Sequence, residues 1–398
     1  MVRCQTEGVA GESRTALSVC HNPAAGFPPS LTTMGAHAIM GPERPIKSKG
    51  GAGRTMAKVG LVYNLARNEQ PEEGEPPDAN AEYDSESTVM AVGEALRRGG
   101  HDVVFIEGDD YCYGRLVRAG LDLVFNMAEG LRGESRESHV PAILEMLGIP
   151  YTGSGVLTMA MCLNKAVAKK ILAYHGIPTA KFTLLRPDVP LDTGTLQFPL
   201  FVKPLHEGSS MGVSSASVIA SCDDLRRQVD YLGRTYRQDV LVEEFLAGRE
   251  FTVAVLGNEA PRAFPPMEIL FHQCPDDHGA VYSRRFKAEW SDEVFYCCPA
   301  QLDPELDQAV RKTALDAYQA LDCREVARID IRLDRDGMPH VMEINPLPGM
   351  APGFSDLPRI LNASGVGYDE LVNGIVDMAL CRCGLEHLRV PSAGQSIA

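Results

Sequence analysis

Two apolar-alternating stretches flank Asp336-Gly337 within Ala327–Asn345, a dipeptide that favours hairpin turns. If those two residues make the turn, Arg335 opposes Met338 and Asp330 opposes Glu343. With a four-residue loop over 334–337, Asp330 opposes Val341 and still shares a face with Glu343. Because strand side chains alternate, Arg328, Asp330, Glu343 and Asn345 share one face, and Ile329, Ile331, Met342 and Ile344 the other. Two acids and an amide on one face need a reason, since opposed like charges destabilise a sheet. A hard divalent cation, Mg²⁺ with Mn²⁺ as an alternative, supplies one, taking a few side-chain oxygens and completing its shell with phosphates and water. The bland alternative is a solvated face whose charges pair with Arg328.

A second chemical signal runs over 199–213, where an apolar strand ends in Lys203 and a Gly208-Ser-Ser-Met-Gly212 loop follows. Backbone N–H groups and the hydroxyls of Ser209 and Ser210 can surround phosphate oxygens, and Lys203 can neutralise them. It is not a P-loop, because a strand beginning near Val213, rather than a helix, is expected next. A third signal is Glu243, Glu244 and Glu250 around Ala247-Gly248, read as the junction of two strands. Carboxylates there can accept from an adenine amino group or ribose hydroxyls; charges at a hairpin end are the plainer reading.

These groups need a scaffold, and the chain's periodicity supplies one. Lys58–Asn64, His101–Ile106 and Asp122–Met127 read as short buried strands, with a helix over Ser85–Arg98 carrying Val89, Val92 and Leu96. Alternating strands and helices build a parallel sheet with helices on its faces. The acidic, Pro-rich loop 67–83 follows the first strand, where such sheets bind ligands, and is a candidate substrate lip or simply solvated surface. Helices are expected over Ser138–Leu147, Lys165–His175, 222–232 and Pro304–Cys323, the last with a stripe of Leu306, Val310, Ala314, Ala317 and Leu321. Further strands are expected at Phe182–Leu185, Leu200–Lys203, Val213–Val218, Val240–Phe245, Phe251–Leu256 and Ala263–Leu270.

Composition narrows the class. The 398 residues are 44% hydrophobic and 23% charged, which suits a soluble globular chain of two or three domains. A net charge of −15 gives no electrostatic reason to bind nucleic acid or an anionic membrane surface. No apolar run is long enough to span a bilayer, and the eleven irregularly spaced cysteines read as reduced thiols of a cytoplasmic enzyme. Residues 1–55 carry six basic and three acidic residues without sustained periodicity, and are expected to be a disordered extension or an upstream start ahead of Met56. No G-x-G-x-x-G follows the first strand, which disfavours a nicotinamide enzyme.

From about Lys58 to Leu380 the chain resembles the ATP-grasp superfamily and, within it, the D-alanine–D-alanine ligase family. The resemblance rests on Phe125-Asn-Met-Ala-Glu-Gly130, Gly148-Ile-Pro-Tyr-Thr-Gly-Ser154, Asn164-Lys165 and Val202-Lys-Pro204 with Glu207-Gly-Ser-Ser210. It continues through Leu241-Val-Glu-Glu244 with Gly248-Arg-Glu250, Ala327-Arg-Ile-Asp330 and Glu343-Ile-Asn-Pro-Leu-Pro-Gly-Met350. It implies a Rossmann-like α/β domain followed by a two-subdomain α+β ATP-grasp fold, with domains over 56–153, 154–243 and 244–386 and a frayed tail over 387–398. It further implies that Lys165 and Lys203 hold ATP phosphates under a mobile loop bearing Ser209 and Ser210. Glu243, Glu244 and Glu250 match nucleotide contacts, and Asp330, Glu343 and Asn345 match magnesium ligands. Arg328 and the Gly349 N–H match groups that stabilise a tetrahedral oxyanion, and Lys287 matches a phosphate-binding lysine of a covering loop.

The implied reaction joins two small amino acids: a carboxylate takes the γ-phosphate of ATP and an amine then attacks the acyl phosphate. A homodimer is implied by the same likeness. The substrate half departs from the family pattern. Glu129-Gly130 replaces a His-Gly, and Phe286-Lys287-Ala-Glu-Trp290 replaces a Lys-Tyr. The glutamate that grips the first ammonium has three competitors in Glu82, Asp84 and Glu86. Ser355 is the candidate for the second carboxylate, in a segment one residue longer than usual. Alternatives are therefore a ligase for another amino acid or amine in a specialised pathway, or a nucleotide-binding module without turnover.

Overall fold

The computed structural model describes residues 56–67, 74–270, 281 and 296–390. The expectations for residues 1–55, for Lys287 and its neighbours and for 391–398 lie outside that set. Strand β1 (Lys58–Tyr63) pairs in parallel with β2 (Asp102–Glu107) on one side and β3 (Leu123–Met127) on the other. Helix α1 (Glu86–Arg98) starts where the Ser85 hydroxyl accepts the Thr88 N–H at 3.2 Å, and buries Val89, Val92 and Leu96. Helix α2 (Cys112–Ala119) was not expected from the sequence; only Cys112 and Leu116 are buried along it, too few to show a period.

Helix α3 (His139–Leu147) ends at Gly148, whose φ of 64° is left-handed. Helix α4 (Val156–Leu163) was also unexpected, being apolar all round. It leads through Asn164, which caps α5 (Lys165–Tyr174) by accepting the Val167 N–H at 3.0 Å. A second sheet orders β4 (Phe182–Leu185), β7 (Val240–Glu244), β5 (Leu200–Pro204) and β6 (Val218–Ile219), all antiparallel, and packs α6 (Cys222–Tyr236) against its core. The strand expected from Val213 begins only at Val218. The Ser217 hydroxyl takes the Ser214 N–H at 3.1 Å and the Ser214 hydroxyl the Ala216 N–H at 3.2 Å, which folds 215–217 into one 3₁₀ turn.

The third sheet orders β11 (Tyr296–Cys297), β10 (Met267–Ile269), β8 (Glu250–Leu256), β12 (Val326–Leu333) and β13 (Pro339–Asn345), with β9 (Arg262–Ala263) on β8. The single strand expected over 263–270 is split at Pro265-Pro266, which lack the N–H a ladder needs. Helix α7 (Pro304–Ala320) buries Val310, Ala314 and Ala317, the valine worth roughly 1.5–3 kcal/mol by area and each alanine methyl roughly 0.8. Ala247-Gly248 is not a hairpin end: β7 and β8 belong to different sheets, and the chain crosses between them there. Gly248 is needed because an added Cβ would sit 2.6 Å from the Leu333 carbonyl.

Helices α8 (Asp356–Ala363) and α9 (Tyr368–Arg382) bring the C-terminal part back onto the first domain. Arg98 grips Asp369 through two hydrogen bonds of 2.6 Å, and Leu61, Val92, Leu371 and Ile375 share one core. That core crosses the expected boundaries. Leu388 also belongs to it, so the start of the expected frayed tail is anchored. Likewise Cys162, Ala168 and Leu172 pack with β8 and β12 rather than with the second sheet, so the expected division at 154 does not separate two cores. Seven described cysteines are free; Cys222 departs from the reduced-thiol expectation, being disulfide-bonded.

Candidate active site

The hairpin of β12 and β13 closes over five residues, Asp334–Met338, so neither expected turn forms. Leu333 pairs with Pro339 and Ile331 with Val341. The Asp334 carboxylate holds the loop by accepting the Asp336 and Met338 N–H groups, each at 2.9 Å. The register then slips by one between Asp330 and Ile331, so that Asp330 pairs with Glu343 and Arg328 with Asn345. Met342 is the extra residue of this bulge. It was expected on the apolar face with Ile329, Ile331 and Ile344, but it lines the cleft instead. The four polar residues do share a face, as the alternation required.

Asp330 is heavily engaged. Its Oδ1 accepts from Thr252 Oγ1 at 2.6 Å and Arg328 Nε at 3.0 Å, and its Oδ2 from an Arg328 guanidinium nitrogen at 2.9 Å and Asn345 Nδ2 at 3.1 Å. Arg328 also stands 3.7 Å from Asp356, a buried acid that sequence reasoning missed. Burial works against the Arg328 charge, yet Asp330 and Asp356 outweigh it and hold the guanidinium protonated. Glu343 lies 3.6 Å from Lys165. Among the described residues no three His, Cys, Asp or Glu side chains cluster in metal-binding fashion. Two carboxylates and one amide oxygen form the donor set here, and oxygen donors of this kind suit a hard cation.

One cleft lies between the second and third sheets. Lys203 on β5 lies 3.0 Å from Glu243 on β7, and Lys169 on α5 lies 2.8 Å from the same carboxylate. Burial opposes the Glu243 charge, but these two ammonium groups override it and lower its pKa to about 2. Burial opposes the Lys203 charge too, and Glu243 and Glu343 raise its pKa. Lys169, where burial wins and the pKa falls, was missed although it lies four residues after Lys165 on the same helix face. Glu250 pairs with Arg332 at 3.1 Å, another missed residue, which follows Arg328 and Asp330 at the strand period. Glu244 accepts from the Gln197 N–H at 3.2 Å and lines the same cleft.

Ser209 and Ser210 face this cleft with φ of 45° and 59°, a left-handed pair without glycine that costs about 1–3 kcal/mol at each residue. The surroundings hold the loop in place. Glu82 accepts the Gly208 N–H at 2.6 Å, and Asp78 accepts the Gly212 N–H at 3.0 Å and the Tyr236 hydroxyl at 2.8 Å. The described part of the acidic loop is therefore a clasp on the serine loop rather than solvated surface. Arg136 ties the clasp down, pairing with Glu82 at 2.7 Å and Glu207 at 2.9 Å.

A second cleft of about 370 Å³ opens on the other side. Glu129, Asn345, Gly349 and Ser355 line it, together with Asp84 and Glu137. Ser355 accepts the Ala351 N–H at 3.1 Å ahead of α8. Gly349 packs so closely there that an added Cβ would meet the Ser355 oxygen at 2.8 Å. Glu86 does not reach this cleft; it is exposed in the first turn of α1, because the helix face that packs inward is that of Thr88, Val89 and Val92. Of its competitors, Glu82 is held by Arg136 and Gly208, whereas Asp84 faces the cleft. Burial raises the Asp84 pKa to about 7 and the Glu137 pKa to about 8, and it lifts Glu129 well above the carboxylate range. Lys165, Ser209, Arg328 and Glu343 line both clefts, so the two meet at these four residues.

Known proteins are similar to this chain. A family model described as the D-ala D-ala ligase C-terminus matches residues 171–377. A D-alanine–D-alanine ligase of Bordetella petrii is 34% identical over 333 residues, which is 83% of this chain and 94% of the relative. An uncharacterized protein of Sinorhizobium fredii is 35% identical over 299 residues, 73% of this chain and 86% of the relative. The solved structure of a D-alanine–D-alanine ligase from Bacillus anthracis complexed with ATP aligns with a TM-score of 0.62 at 26% identity, covering 83% of this chain and 99% of that one.

Proposed function

The chain belongs to the D-alanine–D-alanine ligase family, and from that premise we propose that it is an ATP-dependent ligase joining two small amino acids through an acyl phosphate. The observation that carries the reading is the meeting of the two clefts at Lys165, Ser209, Arg328 and Glu343. A phosphoryl group passing from nucleotide to carboxylate must cross such a boundary, between groups that neutralise its charge and align it.

Each residue then has a physical task. Lys165 and Lys203 offer buried ammonium groups to the phosphates, Lys203 oriented by Glu243. Glu244 and Glu250 lie where the nucleoside would sit, Glu250 positioned by Arg332. Asp330, Glu343 and Asn345 would hold Mg²⁺, which when bound supplies charge neutralisation to the phosphate oxygens. Arg328 is anchored between Asp330 and Asp356 and lines both clefts. Together with the Gly349 N–H it would meet the negative charge that develops when an amine adds to the acyl carbon. Ser209 on the clasped loop shields the junction from water, which the acyl phosphate requires. Ser355 faces the amino-acid cleft, as a carboxylate contact would.

No described helix is long and apolar enough to cross a membrane. The reading is tested by incubating the protein with Mg·ATP and an amino-acid panel and measuring ADP, phosphate and dipeptide. ADP release that depends on amino acid and matches dipeptide mole for mole is the expected result. Nucleotide binding without any amino-acid-dependent ADP release would reduce the protein to a binding module.

A further inference from the structure

The amino-acid cleft holds more carboxyl groups than two alanine-like substrates can answer. Six acids line it: Glu82, Asp84, Glu129, Glu137, Glu343 and Asp356. Three are matched by cations, Glu82 by Arg136 at 2.7 Å, Glu343 by Lys165 at 3.6 Å and Asp356 by Arg328 at 3.7 Å. The side chains of Asp84, Glu129 and Glu137 have no hydrogen-bond or ion-pair partner among the described residues. Glu137 is only 9% exposed, yet it sits on the cleft wall with its carboxyl unpartnered. A buried acid in that condition is costly unless a ligand completes it.

The scaffold presents these acids deliberately close together. All three follow the C-terminal ends of the parallel strands, the edge where such sheets bind ligands. Asp84 is fixed by its own N–H, which donates to the Asn64 carbonyl at 2.9 Å just beyond β1. Glu129 follows β3, and Glu137 lies in the 3₁₀ turn that opens α3. Glu129 feels the others: after burial, Glu137, Glu82 and Asp84 are the largest influences on it. One α-ammonium group accounts for one of these carboxylates, which leaves two.

We infer that the amino acid seated against the first domain carries a second positive charge on its side chain, a diamino acid whose terminal ammonium is taken by Glu137 and Glu129. The inference rests on the ligase reading and names its substrate class. Binding such a cation would replace the protons that burial favours with an ion pair of charge-assisted hydrogen bonds. A neutral side chain would leave the buried Glu137 carboxyl without a hydrogen-bonded partner.

The test compares ornithine, lysine and 2,4-diaminobutyrate, as both enantiomers, with D- and L-alanine. It uses wild type and the Glu137→Gln and Glu129→Gln variants, with melting temperatures to confirm folding. Calorimetric binding in the presence of Mg²⁺ and a non-hydrolysable ATP analogue is read beside ADP release and dipeptide mass. The expected result is that a diamino acid binds and is ligated in preference to alanine, and that either variant lowers this preference by about tenfold or more. Diamino-acid binding without ADP release would support the inference and overturn the ligase reading. Alanine ligation with no preference for a diamino acid would overturn the inference and leave the ligase reading standing. Binding of neither class would overturn both.

Discussion

Asp330 and Glu343 oppose each other across β12 and β13 because Met342 is squeezed out between Val341 and Glu343. Upstream of the bulge the pairs are Leu333 with Pro339 and Ile331 with Val341, and beyond it Asp330 with Glu343. Were Met342 paired in a regular ladder instead of bulged, Asp330 would fall opposite it, and Glu343 and Asn345 would turn toward the core.

This geometry makes the acids interdependent. Asp330→Asn and Glu343→Gln preserve shape while removing charge, and each is expected to slow ATP-dependent ligation by about 100-fold or more. ADP release over a Mg²⁺ titration, with circular dichroism as the control, checks both. Ligation at the wild-type rate in either charge variant would remove these residues from the metal set.

Much of this face was legible in the sequence, and the reason is the strand period. Alternation put Arg328, Asp330, Glu343 and Asn345 together whichever turn closed the hairpin. It could not show the bulge, because a bulge depends on how the loop closes, here through Asp334 accepting two backbone N–H groups. Helix α4 was invisible for the opposite reason: its all-round apolar sequence has no polar face to set a phase. The clasp of Asp78 and Glu82 on the serine loop joins residues more than a hundred positions apart, and no local pattern encodes that pairing. Glu137 left no signal either, since a glutamate before an apolar run normally faces solvent.

Glu243 joins two buried lysines. With its folded pKa lowered to about 2, from an ordinary 4.5, it contributes stability that is present above pH 4.5 and is lost as the pH falls toward 2. Glu243→Gln leaves Lys169 and Lys203 facing each other across a neutral amide. The expected cost is about 3–5 kcal/mol at pH 7, measured by urea denaturation. A cost under 1 kcal/mol would mean that solvent or a displaced side chain compensates them.

The unpartnered acids give the opposite slope. Asp84 and Glu137 have folded pKa values raised to about 7 and about 8, so the folded chain binds more protons than the unfolded one between pH 4.5 and 8. Stability of the ligand-free protein should therefore fall as the pH rises through that window, and Glu137→Gln should flatten the decline. Denaturation midpoints from pH 5 to 8 for wild type and variant check it. A wild-type curve that rises with pH would contradict the burial that raises both groups.

Asp78 tests the clasp apart from the chemistry. Asp78→Ala removes the acceptor for the Gly212 N–H and the Tyr236 hydroxyl. Hydrogen exchange at Gly212 should accelerate by about tenfold, the loss of one net hydrogen bond to a charged group, and KM for ATP should rise. Exchange unchanged from wild type would show that the loop holds its shape unaided.

Gly248 lets the chain cross from the second sheet to the third beneath the Leu333 carbonyl, 2.6 Å from where a Cβ would stand. Gly248→Ala should cost about 1–3 kcal/mol by overpacking and weaken ATP binding, because Glu250 follows two residues later. Thermal melting and nucleotide titration report the two effects separately.

The acyl phosphate itself is open to direct observation. An amino acid that supports turnover is labelled with oxygen-18 in its carboxylate and ligated with unlabelled Mg·ATP, and the released phosphate is analysed by mass. Transfer of one labelled oxygen into phosphate is the expected result, since the carboxylate oxygen that attacks the γ-phosphate leaves with it. Unlabelled phosphate, or label appearing in AMP, would contradict phosphoryl transfer to a carboxylate at the junction of Lys165, Arg328 and Glu343.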